Sequence, residues 1–239
     1  NHDVEQTMQV FINRKEEFES QMNLIKTFKL PLKYINKTKA QLSAIILEAD
    51  KREHDDEFEI TIVDNLKLNR YKNIKQWYEN KENNDYKKSL EIDVEGVPHV
   101  FGWGGLHGAK DKYQGEGIFI NSDVESYYPS LMIEYNFLSR NVRYPEKFKE
   151  IYDVRVGLKR AGKKAEQAPY KIVLNGTYGA SKDKYNNLFD PLQANNVCIN
   201  GQLLLLDLIE HVTDAIPGAI LIQSNTDGVI FKLLSEELI

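Results

Sequence analysis

GIFINSDVESYYPSLMI, residues 117 to 133, decides how the rest of the chain is read. An apolar run (Ile118, Phe119, Ile120) ends at Asp123. Ser126, Tyr127, Tyr128, Pro129 and Ser130 follow before the apolar residues of a helix begin. Runs bounded in this way by polar and turn residues fit a strand buried on both faces, and that is the expectation for 117–123. A carboxylate at the end of such a strand is aimed by rigid backbone. Its partner has to be sought elsewhere in the chain.

The 239 residues suffice for one large domain or two small ones, and 41% of them are hydrophobic, enough for a real core. Net charge is −5, so there is no global pull towards nucleic acid or acidic membranes, and any anion site must be a local patch. Cys198 is the only cysteine, which excludes an intrachain disulfide and fits a reducing compartment. No apolar run reaches membrane-span length, and the first residues carry no signal-peptide pattern. The sequence starts at Asn1 and stops at Ile239 just after a strand-like run, as a piece of a longer polypeptide would.

Outward from the opening stretch, residues 3 to 28 place Val4, Met8, Phe11, Phe18, Met22, Ile25 and Phe28 at mostly helical spacing, with Asn1 or Asp3 able to cap the start. Residues 37–48 form a second amphipathic helix, expected to pack on the first. From 51 to 96 charge and Asn dominate; only FEITIV (58–63) and SLEIDV (89–94) look like strands, and the charges read as solvated surface. Next come Gly102, Gly104, Gly105 and Gly108, which either let backbone approach a ligand or make irregular turns, with Lys110 and Lys112 able to present cations beside them. Residues 145–168 are helical in composition, Pro169 permits a fresh helix start, and a long apolar helix covers 195–213.

AILIQ (219–223) and VIFKLL (229–234) flank SNTDG, a hairpin signal that puts Asp227 at the tip. Taken alone, Asp-Gly is ordinary turn chemistry. If the hairpin lies beside 117–123, however, Asp123 and Asp227 converge. Two close carboxylates repel unless a cation separates them, and oxygen ligands of this kind suit Mg²⁺. Lys171 and Asn175 lie i, i+4 on one helix face, Tyr178 is three residues on, and Gly179 marks a helix stop. Arg155 and Lys159 repeat the i, i+4 spacing on the preceding helix, with Arg160, Lys163 and Lys164 nearby. Each cationic face is compatible with solvated surface. Together with the carboxylates they suit a nucleoside triphosphate.

DVESYYPS (123–130) resembles motif A of the family B DNA polymerases, KIVLNGTYG (171–179) motif B, and QSNTDG (223–228) motif C, in the family's order. GWGGLHG (102–108) sits where that family has its Gly-Gly motif, and NHDVEQT (1–7) is similar to the tail of its third exonuclease motif, in which Asp3 would be a metal ligand. The resemblance implies an α+β fold: an antiparallel palm sheet with short helical fingers, preceded by C-terminal helices of an exonuclease domain. The corresponding divisions are 1–50 for the exonuclease helices, 51–105 for a connecting region, 106–140 for palm, 141–178 for fingers and 179–239 for palm again, with the thumb absent.

Carried over by position, the resemblance makes Asp123 and Asp227 the holders of two Mg²⁺ ions, with Mn²⁺ as a substitute. The backbone of Val124, Ser126 and Tyr127 would meet metal and triphosphate. Tyr128 would exclude ribonucleotides, Lys171, Arg155 and Lys159 would bind the triphosphate, and Asn175 and Tyr178 would line the nascent base pair. The implied partners are primer-template DNA, dNTPs and replication accessory proteins, with no membrane; the implied location is cytoplasmic, in a host cell if the protein is phage-encoded. Three departures stand out. Asn225 replaces the first motif C Asp, Gly176 replaces a Ser and thereby removes a hydroxyl beside the nucleotide, and Tyr127 replaces a Leu. Asn225 and Gly176 support a rival reading, a degenerate palm that binds nucleic acid or a partner protein without catalysis.

Overall fold

The computed structural model describes residues 2–234. It is α+β, with one six-stranded antiparallel sheet and eight α-helices among the described residues, and it divides into two compact units. Among the described residues one unit comprises 55–137 and 191–234; the other comprises 2–54 and 138–190.

The first unit holds the whole sheet. Its strands are β1 (Ser89–Val94), β2 (Val97–Gly102), β3 (His107–Ala109), β4 (Ile118–Asp123), β5 (Ile220–Ser224) and β6 (Gly228–Leu233), in the order β1-β2-β3-β5-β6-β4. SLEIDV is therefore a strand, and the hairpin joins β5 to β6. The expectation for 117–123 needs correcting. β4 is an edge strand paired only with β6, and its Phe119, Asn121 and Asp123 are exposed. Alternation explains the burial as far as Ile120: Val229, Phe231 and Leu233 of β6 fill the core, their register partners Ile118 and Ile120 on β4 are half-buried, and Ser122 at the strand's end is already exposed. The face carrying Asp123 points the other way. Three apolar residues in a row could not reveal this, because the partner strand supplies most of the burial.

FEITIV is not a strand, and its charged surroundings are not merely solvated. The chain from 57 to 71 runs beside α8 (Pro191–Ala215): the Glu57 carbonyl accepts from Asn195 at 2.8 Å, and from Thr61 on five N–H groups are given to that helix's side chains. Asn196 accepts from Thr61 at 2.8 Å, Asn200 from Val63 at 2.9 Å, Asp207 from Lys67 at 3.2 Å, and Glu210 from Asn69 and Tyr71 at 2.8 and 2.9 Å. Two residues of extended chain advance about 6.6 Å and four of helix about 6 Å, so the Thr61 and Val63 N–H groups meet Asn196 and Asn200 one helical turn apart, and Asn69 and Tyr71 share Glu210. The period of two was legible; its partner is a helix face. Arg70 is ion-paired with Asp214 and Glu95, which anchors the end of the segment. Two shorter helices complete this unit, α4 (Lys72–Glu79) and α5 (Tyr127–Glu134), and α5 packs against α8.

The second unit is helical: α1 (His2–Asn13), α2 (Lys15–Thr27), α3 (Lys39–Ile46), α6 (Pro145–Arg160) and α7 (Lys164–Ser181). The expected helix over 3–28 breaks at Arg14, and Val4, Met8 and Phe11 of α1 are exposed while Leu24 and Ile25 of α2 are buried. Asp3 lies inside the first turn of α1, so it does not cap it; Asn1 lies outside the described residues. α3 starts with a capping box, Thr38 and Gln41 each serving the other's backbone N–H, and it packs mainly along α7 rather than on the first helix. α7 begins before Pro169, not at it. Gly162, at φ 72°, stops α6 in a Schellman turn and puts Lys163 at the position before the next helix, so Pro169 falls within α7 and forgoes one intrahelical bond. Gly179 is likewise interior, and α7 runs on to Ser181. Fully buried Asp190 closes the unit with Arg140, accepting from its Nε at 2.9 Å and from its second guanidinium nitrogen at 2.8 Å.

Candidate active site

In the sheet unit, Asp123 ends β4 opposite Gly228, the first residue of β6, and Asp227 directly precedes it. The two aspartates thus meet at neighbouring strand ends, both exposed on the turn side of the sheet. The Val124 N–H donates to the Asp227 carbonyl at 2.8 Å, which locks the two strand ends together. Any help Val124 gives a cation must come from its carbonyl oxygen. A Cβ on Gly228 would collide with Asp123 Oδ1 and sit 2.9 Å from the Ser122 carbonyl. Glycine is what lets the Asp123 carboxylate lie across the hairpin.

Asn225, the residue that departs from motif C, shapes the turn. Its N–H donates to the Gly228 carbonyl at 2.9 Å, and its Oδ1 accepts the Asp227 N–H at 3.1 Å. An Asx turn of this kind is what Asn does well, and here it fixes the backbone of Asp227. Among the described residues no three His, Cys, Asp or Glu side chains gather as a metal cluster. The donor set is therefore two carboxylates and a nearby carbonyl, all hard oxygens. Hard oxygens of this kind suit a divalent cation such as Mg²⁺ or Mn²⁺. Asp3 stands on exposed α1 and belongs to no such cluster.

Beyond Asp123 the chain turns through Ser126, at φ 52° and ψ 45°, into α5. A left-handed serine is uncommon, and the first-turn N–H groups of α5 that follow it have no intrahelical acceptor. Tyr127 is buried and its hydroxyl donates to the Gly201 carbonyl at 2.7 Å; burial pushes its phenol far above the usual range. Its side chain is a packing element, leaving only its backbone for a ligand. Tyr128 is half-buried beside it, ring centroids 6.0 Å apart. A Cβ on Gly201 would lie 3.3 Å from Tyr128 and 3.4 Å from Tyr127, so that glycine makes room for both rings.

The glycine-rich loop does more than turn. A Cβ on Gly105 would come within 2.9 Å of Thr226 Oγ1, and His107 Nε2 lies 3.5 Å from the same oxygen. Gly108 backs directly onto the His99 ring. With Nδ1–H on the Val97 carbonyl at 2.8 Å, His99 accepts the Ser224 hydroxyl at Nε2 at 2.6 Å, just before the Asn225 turn. Burial lowers the His99 pKa and keeps the ring neutral. The density of glycine was the one sequence signal for these neighbours of Asp227. Lys110 is not among them: its ammonium reaches the Gly96 carbonyl at 3.1 Å.

In the helical unit, Lys171 and Asn175 are exposed on one stripe of α7, and Tyr178 is half-buried one turn on, with the Lys182 ammonium 5.0 Å from its ring centroid. Lys159 is exposed on α6. Arg155, expected on the same cationic face, is turned inward: it is 6% exposed and its Nε donates to Gln167 Oε1 at 3.2 Å. Gly176 also differs from expectation. A side chain there would meet Ser43 Oγ at 2.9 Å, so the glycine serves the close approach of α3 to α7.

The sequence matches no protein-family model and no curated protein. Its fold is similar to that of the family B DNA polymerase from the hyperthermophilic archaeon Pyrobaculum calidifontis. The TM-score is 0.50 at 16% identity, over 92% of this chain and 29% of that one. The chain spans less than a third of the polymerase it resembles, and the likeness is one of fold.

Proposed function

We propose that this chain is the palm and fingers core of a longer template-directed DNA polymerase, which adds a dNMP to a primer 3′-OH. The meeting of Asp123 and Asp227 across the β4–β6 strand ends carries the reading. The three motifs in order and a family B polymerase fold over 92% of the chain support it. In this reading Asp123, Asp227 and the Val124 carbonyl hold two Mg²⁺ ions, which when bound would acidify the primer hydroxyl and neutralise charge on the triphosphate. Lys171 and Lys159 take up triphosphate charge, the backbone at Ser126 and Tyr127 meets phosphate oxygens, and Asn175 and Tyr178 line the base pair. Tyr128 bears on the sugar. Arg155 belongs to the packing of the helix pair instead.

Primer-template DNA, dNTPs and replication accessory proteins are the partners this reading entails. A cytoplasmic setting, within a host if the protein is phage-encoded, belongs to the same proposal, as does an exonuclease role for Asp3 in the longer polypeptide. Primer extension by that polypeptide is the test. Asp123→Ala and Asp227→Ala should each cost about a thousandfold or more, the scale of several kcal/mol from metal-borne charge stabilisation. Asn225→Asp should retain incorporation. Extension that survives loss of Asp227 would overturn the two-metal assignment. It would favour the degenerate palm, a reading that Gly176, explained by its contact with Ser43, no longer supports.

A further inference from the structure

Residues 182–185, Lys-Asp-Lys-Tyr, follow α7 and carry the most exposed large aromatic among the described residues: Tyr185 is 83% exposed. Such exposure is common on loose segments, but this loop is tied down on every side. Asp183 Oδ1 accepts the Tyr185 N–H at 3.0 Å and its carbonyl accepts the Asn186 N–H at 2.9 Å. Asn186 and Leu188, which follow it in the chain, are buried, the Asn187 amide donates to the Ala49 carbonyl at 3.1 Å, and Asn141 donates to the carbonyls of Asn187 and Phe189 at 3.0 and 2.9 Å. The tyrosine is held outward by a rigid base.

Cations lie along the same stretch of chain. The Lys184 ammonium lies 5.0 Å from the Tyr185 ring centroid and the Lys182 ammonium 5.0 Å from that of Tyr178. Lys51 donates to the Lys184 carbonyl at 2.6 Å. The loop's one acid, Asp183, is turned back onto the Tyr185 N–H, and nearby Asp50 is paired with Arg143 at 2.9 Å. The local balance is therefore positive in a chain whose net charge is −5. Lysines alternating with aromatic faces suit a nucleic-acid strand whose bases are unpaired, since each base offers a face to stack and each phosphate a charge to neutralise. A duplex keeps its bases stacked on one another and offers the tyrosine nothing.

We infer that the 182–185 loop is a binding site for single-stranded DNA, with Tyr185 stacking on one base and Lys184, Lys182 and Lys51 neutralising its backbone. Resting on the polymerase reading, this strand is the unpaired template next to the base-pair pocket assigned to Tyr178.

The measurement is fluorescence anisotropy of a labelled oligodeoxythymidine of about 15 nucleotides with the 239-residue chain. Tyr185→Ala should weaken binding about tenfold, the loss of one base stack, while Tyr185→Phe keeps wild-type affinity. Lys184→Gln should flatten the slope of log K against log salt by about 0.7, one phosphate's worth. Blunt duplex of equal length should bind equally to wild type and Tyr185→Ala. Wild-type affinity of Tyr185→Ala for the oligonucleotide would overturn the inference, as would an equal loss on duplex or a Tyr185→Phe variant as weak as the alanine. The two readings fail separately. If extension survives without Asp227 yet Tyr185→Ala still weakens oligonucleotide binding, the catalytic reading falls and the stacking site stands. If extension needs Asp227 and Tyr185→Ala binds normally, the reverse holds.

Discussion

The strand ends that carry Asp123 and Asp227 and the helix pair α6–α7 present their side chains under different rules. In the sheet, backbone pairing sets the geometry: once β4 is in register with β6, Asp123 lies opposite Gly228, with the Asn225 side chain and the bare Gly228 Cα refining the two aspartates. On the helices, spacing puts Arg155 with Lys159 and Lys171 with Asn175, but which side faces inward depends on the neighbouring helix. Arg155 went in and Lys159 stayed out. The lesson is that a pair defined by backbone hydrogen bonds transfers from motif to structure, whereas a pair defined by i, i+4 spacing transfers only as far as the helix is exposed on that side.

The sharpest way to break the sheet half of the contrast is Gly228→Ala. A methyl group there collides with the Asp123 carboxylate and displaces it, and a displacement near 1 Å costs about a hundredfold in rate. Primer extension by the longer polypeptide would measure it; full activity would show that Asp123 does not need the glycine. On the helices, Arg155→Met should lower stability by about 1–2 kcal/mol in denaturant unfolding, because Gln167 loses a partner and the inward-facing stem is repacked. Lys159→Met, exposed, should stay within about 0.5 kcal/mol of wild type. Equal effects would erase the distinction between the two residues.

Gly176→Ser sharpens the same point from the other side. The restored hydroxyl would press on Ser43, destabilising the helical unit by about 1–3 kcal/mol without any nucleotide present. A change seen only in nucleotide affinity would return Gly176 to the binding pocket. The smallest effect concerns His99. Its pKa is lowered in the fold, so below about pH 6.5 the unfolded chain binds a proton that the folded chain refuses, and stability falls as pH drops from there. Thermal unfolding between pH 7.5 and 5 should lose less for His99→Gln than for wild type; parallel curves would show that another group dominates.

Much of this was legible. The hairpin with Asp227 at its turn, the strand ending in Asp123 and the helices carrying Lys171 and Asn175 follow from turn chemistry and periodicity. What was not legible depended on a partner distant in sequence. FEITIV has the composition of a strand, yet its N–H groups go to Asn196 and Asn200 of a helix more than 130 residues away. The loop at Gly105 and Gly108 could have been turns alone until Thr226 and His99 were found against it.

By itself the sequence determined the hairpin that carries Asp227, the strand that ends at Asp123 and the helical stretches over 145–168 and 195–213, because turn residues, strand ends and helical composition are local properties; the α+β class followed from the resemblance of the three motifs. Only the tertiary structure decided that β4 is an edge with its acidic face open, that Arg155 is inward, that Asn225 serves the turn and that Gly176 serves α3. Each of those is settled by which surface arrives opposite a residue. No local pattern encodes that, since burial and close approach belong to the pair and not to either member.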